Sequence, residues 1–174
     1  TSPGAKRTLS GLSPGQPKQC GLEYIDDPHW PADWQGTWVT NDFRGNRTNR
    51  FRVTPNGSSY IAKQEADVLA SNRRAFRPID IRSGPYGALY IADWYNPVKG
   101  HAQYSLRDTR RDKKSGRIWR ITAKDQKLEE APKIAGASIP ELLDLLKSEN
   151  YRTRYRAKVE LRERDAKEVW NTLV

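Results

Sequence analysis

The sequence predicts a chain that is mainly β with an α-helical C-terminus. Three observations carry this. Between about residues 20 and 125, short apolar runs alternate with turn residues. Within that stretch a strand–Asp–aromatic–strand unit occurs twice. After residue 138, leucines recur at helical spacing.

Residues 1–19, with three Pro and three Gly, read as loop or linker, because nothing there buries enough surface to offset its ordering entropy. The β region follows over residues 20–125. Thr37-Trp38-Val39-Thr40 is β-rich, and Arg50-Phe51-Arg52-Val53-Thr54 alternates before the turn signal Pro55-Asn56-Gly57. Pro78-Ile79-Asp80-Ile81 precedes a second turn, Ser83-Gly84-Pro85-Tyr86-Gly87. Ala88-Leu89-Tyr90-Ile91-Ala92 reads as a buried strand, and Arg117-Ile118-Trp119-Arg120-Ile121-Thr122 alternates again. The repeat joins these pieces. Gly36 opens one copy and Gly87 the other, each running Gly, apolar strand, Asp-aromatic, polar loop, then R-apolar-x-apolar-T. The period of about 51 residues is close to that of propeller blades. The expectation is two blades of a β-propeller, with further blades outside this chain because two cannot close a ring.

Residues 126–137 read as a second linker, and 138–174 as a HEAT-like helical repeat, truncated. Ser138 and Glu141 have the spacing of a capping box, with Pro140 in the first turn. Leu142, Leu143, Leu145 and Leu146 share one helical face. A second helix over about residues 151–164 places Tyr155 and Val159 inward, with Ala157 and Leu161, and a third begins near Asp165.

Composition narrows the function classes. Of 174 residues, 30% are charged and 36% hydrophobic, so the core is small for the length, partly compensated by six Trp, eight Tyr and three Phe. One Cys excludes an internal disulfide, a C-x-x-C pair, a thiolate-rich zinc site and a C-x-x-C-H haem attachment in this chain. No apolar window is long enough for a transmembrane helix, and no leader is visible. With no Met and a Thr-Ser-Pro-Gly start, the chain is read as a piece of a longer polypeptide.

Several blocks carry a family resemblance. FRPIDIRSGPYGALYIADWYNPVKGH, SLRDTRRD and GRIWRITAKD resemble the end of the propeller in the planctomycete-type membrane-bound dehydrogenases, and QCGLEYIDDPHWPADWQGTWVTNDFRGNRTNRFRV resembles the preceding blade. The helices after IPELLDLLKS resemble the HEAT repeats that follow it. The resemblance implies the last two blades of a quinoprotein sugar-dehydrogenase-like propeller in an extracytoplasmic, periplasmic or membrane-associated protein. That protein would oxidise a sugar or alcohol and pass electrons to a cytochrome c-like domain outside this chain. It implies pyrroloquinoline quinone and calcium for the parent, with haem c in the absent domain. Partners would be the rest of the propeller, that haem domain and a carbohydrate substrate. A more distant likeness to soluble quinoprotein glucose dehydrogenases places Arg44 and Arg77 where cationic side chains hold the quinone carboxylates.

Other candidates come from the residues themselves. Asp42 and Asp93 stand at the same place in both copies, where a carboxylate either binds a cation or closes a turn. His101 ends the loop that holds Asn96 and is a candidate general base, whereas His29 reads as packing. Arg110 and Arg111 lie in a loop of mixed charge, suited to anion recognition or to internal salt bridging. A net charge of +10 raises nucleic-acid binding. The excess is spread, however: residues 1–100 carry 13 basic and 9 acidic side chains, and 101–174 carry 18 and 12, which argues against it. Two functions follow: the dehydrogenase fragment, or a non-catalytic propeller scaffold that binds carbohydrate or protein.

Overall fold

In the computed structural model, residues 19–98 and 105–173 are described. They form eight strands followed by three helices. The strands are β1 (Gln19–Ile25), β2 (Thr37–Asp42), β3 (Arg47–Asn56), β4 (Ser59–Gln64), β5 (Leu69–Ala70), β6 (Pro78–Ser83), β7 (Leu89–Asp93) and β8 (Arg117–Ile121). The helices are α1 (Ile139–Leu145), α2 (Tyr151–Arg162) and α3 (Ala166–Leu173). The chain divides into two compact units. One holds β1, Gly36–Arg82 and Leu89–Ile121; the other holds Asp26–Gln35, Ser83–Ala88 and the chain from Thr122 onward.

The first unit contains two open sheets. One has the order β1-β2-β3-β4, with β5 also pairing β3, and the other has the order β6-β7-β8. β1 pairs antiparallel with β2 through a bulge between Cys20 and Leu22. Gly21 sits in that bulge with φ +67°, and a Cβ there would lie 2.8 Å from the Ile81 nitrogen and 3.1 Å from the Asp80 Cα. Glycine is required both for the left-handed backbone and for the close approach of β6. The core of this unit is Ile25, Val39, Phe51, Ala62, Phe76, Ile81, Leu89 and Ile91.

Each copy of the sequence repeat lies on an antiparallel pair, β2·β3 and β7·β8. The expected propeller blades do not form. The first copy sits in a five-stranded sheet and the second in a three-stranded one, and neither sheet closes. The difference arises after the shared strands. β3 turns back at Gly57 into β4, whereas among the described residues no strand follows β8.

The helices of the second unit share a core of Ala137, Leu142 and Ala157, with Ile134, Leu145, Leu146 and Leu161 packed against it. Ser138 caps α1 in a capping box: Glu141 accepts its backbone N–H at 2.7 Å. Asn150 caps α2, its side-chain oxygen accepting the Arg152 and Thr153 N–H groups at 2.9 and 3.1 Å. The expected HEAT-like repeat is absent. α1 has seven residues, α3 buries none of its side chains, and Tyr155 and Val159 face solvent. The inward pair is Ala157 and Leu161, two residues out of phase with Tyr155 and Val159 and therefore on another face of α2. Small Ala157 permits the approach that the larger side chains would block. The fold is thus a mixed α/β arrangement of small open sheets and three short helices. None of the helices described is long and apolar enough to cross a membrane.

Candidate functional site

Residues paired across antiparallel strands share a face of the sheet. One line of the first sheet runs Tyr24–Trp38–Phe51–Gln64, a second runs Leu22–Thr40–Asn49, and Val53 faces Ala62. On the opposite face stand Glu23, Ile25, Thr37, Val39, Asn41, Thr48 and Arg50, all buried and mostly polar. The usual arrangement of an antiparallel sheet, apolar inside and polar outside, is reversed. Here the apolar side chains Leu22, Trp38 and Tyr60 stand exposed on the other face.

That face forms a shallow groove of about 570 Å³, lined by Gln19, Leu22, Tyr24, Gly36, Trp38, Thr40, Phe51, Val53, Tyr60 and Ala62. Tyr24 and Trp38 form a tilted pair with ring centroids 4.9 Å apart. Leu22 and Tyr60 are 55% and 54% exposed, large values for residues of this size. No lining side chain is charged. Thr40 is fixed by donating its hydroxyl to the Gly21 carbonyl at 2.6 Å, which ties the groove floor to the bulge.

The residues singled out from the sequence lie elsewhere. Asp42 closes the β2–β3 turn, its Oδ1 accepting the N–H groups of Arg44 and Gly45 at 3.1 and 3.0 Å. Arg44 contributes its backbone there, with an exposed side chain. Asp93, Arg77 and Asn96 are brought together as a buried network. Asp93 Oδ1 accepts the N–H groups of Arg77 and Tyr95 at 2.8 and 2.9 Å. Its Oδ2 accepts from Trp119 Nε1 at 3.2 Å and faces Arg117 at 3.7 Å. The Arg77 guanidinium donates to the carbonyls of Asn96 at 3.1 Å, Phe43 at 3.0 Å and Phe76 at 3.3 Å. Burial pulls its pKa below the ordinary arginine value, opposed by the charge of Asp93. Asn96 accepts the Val98 N–H at 3.0 Å and donates to the Asp112 carbonyl at 3.3 Å.

Arg110 forks onto Asp108 at 3.0 and 2.6 Å, and those hydrogen bonds draw the Asp108 pKa down to about 2. Arg111 donates to the Ser105 carbonyl at 2.9 Å and to the Val98 carbonyl at 3.5 Å. His101 lies outside the described residues. The thiol of Cys20 donates to the Pro78 carbonyl at 3.3 Å, and burial raises its pKa.

These contacts correct the cofactor chemistry expected from the resemblance. The Nε and Nη1 donors of Arg77 are directed at backbone carbonyls of the chain itself. Among the described residues no group of three or more His, Cys, Asp or Glu side chains could hold a metal ion. No quinone site, calcium cage or haem attachment is formed by them.

Residues 15–125 match DUF7133, a domain of unknown function. The chain belongs to that family. No curated protein and no solved structure matches the chain. Membership of DUF7133 replaces the resemblance to the planctomycete-type dehydrogenases. With it go the quinoprotein dehydrogenase function and the propeller and cytochrome c-like partners, since the open sheets reproduce no such architecture.

Sequence reasoning passed over the groove. Its signal was present as i, i+2 pairs in four consecutive strands: Leu22 and Tyr24, Trp38 and Thr40, Phe51 and Val53, Tyr60 and Ala62. Each pair alone fits either face of a strand, and only the pairing register shows that all eight share one.

Proposed function

We propose that this chain is a binding module that docks an apolar, uncharged surface of another protein onto the open face of β1–β4. The reversed polarity of the sheet carries this reading. Fully burying a large apolar side chain contributes roughly 1.5–3 kcal/mol, so a face on which Leu22, Trp38 and Tyr60 stand open to water forgoes stability that a partner restores. Contiguous apolar patches of this kind mark interaction sites. The uncharged lining calls for an uncharged contact surface. The net charge of +10 opposes a second copy as the occupant and favours a partner that is acidic outside the contact.

A photo-crosslinking amino acid in place of Tyr60, with Tyr155 on α2 as the control position, tests this in host extract. Mass spectrometry of the joined peptides is expected to show one apolar surface segment of a different, acidic protein, lost when Trp38→Lys is added. Adducts only to the chain itself, adducts to lipid or a small molecule, or the same adducts from Tyr155 would overturn it.

A further inference from the structure

We propose that His29 is the pin of an acid-released latch, holding the segment that follows β8 to the turn that follows β1. Its ring is 2% exposed and both nitrogens are engaged by main-chain atoms of one segment. Nδ1 lies 3.0 Å from the Lys127 carbonyl oxygen, and Nε2 lies 2.9 Å from the Ala123 nitrogen. A carbonyl only accepts and an amide N–H only donates. Nδ1 therefore carries the hydrogen and Nε2 the lone pair, so the geometry fixes the neutral Nδ1–H tautomer. A proton added at Nε2 would face the Ala123 N–H, and the two donors must part. Both then lose their partner, and the buried ring nitrogen is left without an acceptor, the costly half of hydrogen-bond exchange.

Charged groups surround the ring. Asp27 accepts the His29 backbone N–H at 2.9 Å, and its other oxygen takes the Asn150 side-chain amide. Asp26 accepts the Tyr151 N–H at 2.9 Å, with Arg154 at 4.0 Å. Glu129, on the latched segment, interacts with the charges of His29, Asp27 and Glu149. From the Ser83–Ala88 loop the neighbour is Gly87, which brings no charge; a Cβ on it would lie 2.5 Å from the His29 Cβ. The ring stands edge-on to Trp30. Carboxylates thus outnumber cations around the imidazole. Asp27 and Glu129 respond to acid in the opposite sense. Burial, first among the causes, raises both pKa values, so the folded chain takes up these two protons more readily as the pH falls.

The latch is tested on the whole chain by amide hydrogen exchange and imidazole 15N spectra at about pH 7.5 and about pH 5. At the higher pH the spectrum is expected to show the Nδ1–H tautomer and a protected Ala123 amide. At the lower pH, protection of Ala123, corrected for the intrinsic rate, should fall about tenfold or more. His29→Asn, which does not titrate in this range, should remove the pH step whatever its absolute protection. An Ala123 amide equally protected at both values, or the same step in His29→Asn, would overturn the proposal. Should that variant fail to fold, an Nε2–H tautomer in the native protein at the higher pH overturns it as well.

Discussion

Asp42 and Asp93 occupy equivalent places in the repeat and do the same local work, accepting backbone N–H groups to turn the chain. Their surroundings make the energies differ. Asp93 is buried and satisfies two backbone donors, the Trp119 indole and the Arg117 charge, so Asp93→Ala strands all of them. We expect that substitution to cost about 3 kcal/mol, and Asp42→Ala about 1 kcal/mol. Urea unfolding with an unchanged slope reads both, and equal losses would refute the distinction. Asp108 makes a different residue-level prediction. Its pKa is depressed from 3.8 to about 2 by Arg110, so the contribution of this pair is present above 3.8 and lost as pH falls through about 2. The Arg110 amide resonance should therefore titrate near 2; a midpoint near 3.8 would show that the fork does not persist in solution.

At the scale of elements, the bulge in β1 is the joint between the two sheets of the first unit. Gly21→Ala meets both a positive φ and the β6 backbone, whereas Gly57→Ala meets a positive φ alone, with nothing within 4 Å of the added Cβ. Losses of about 3 and about 1 kcal/mol are expected from chemical denaturation. A Gly21→Ala loss no larger than that of Gly57→Ala would mean that β1 and β6 separate freely. These elements also show what was legible in the sequence. The Ser138–Glu141 box could be read directly because its chemistry is local, and the paired strands of the repeat could be read because alternation marks them. Strand number could not, because a shared hairpin motif says nothing about whether a further strand joins its edge. The face of α2 was misassigned because Tyr155 and Val159 carry more apolar area than Ala157, while close helix packing selected the small residue. The groove and the His29 cluster escaped for one reason: each depends on residues brought together by register or by long-range contacts, such as His29 with Lys127 and Asp27 with Asn150.

At the scale of the whole molecule, two opposing features govern association. An uncharged apolar face favours contact between copies, and a net charge of +10 opposes it over distances comparable to the screening length. At low ionic strength, about 0.02 M, repulsion reaches well beyond the contact distance, and sedimentation velocity should show a monomer. At about 0.5 M the screening length shrinks to a few ångströms, while salt leaves the apolar attraction largely intact, so self-association should rise with concentration. Trp38→Lys places a charge at the centre of the groove and should hold the chain monomeric at both salts; Trp170→Ala, on the 67% exposed indole of α3, should change neither result. Association that weakens with salt would mean that ionic contacts drive it. Association unaffected by Trp38→Lys would place the sticky surface elsewhere and remove the physical basis for assigning a partner to the first sheet.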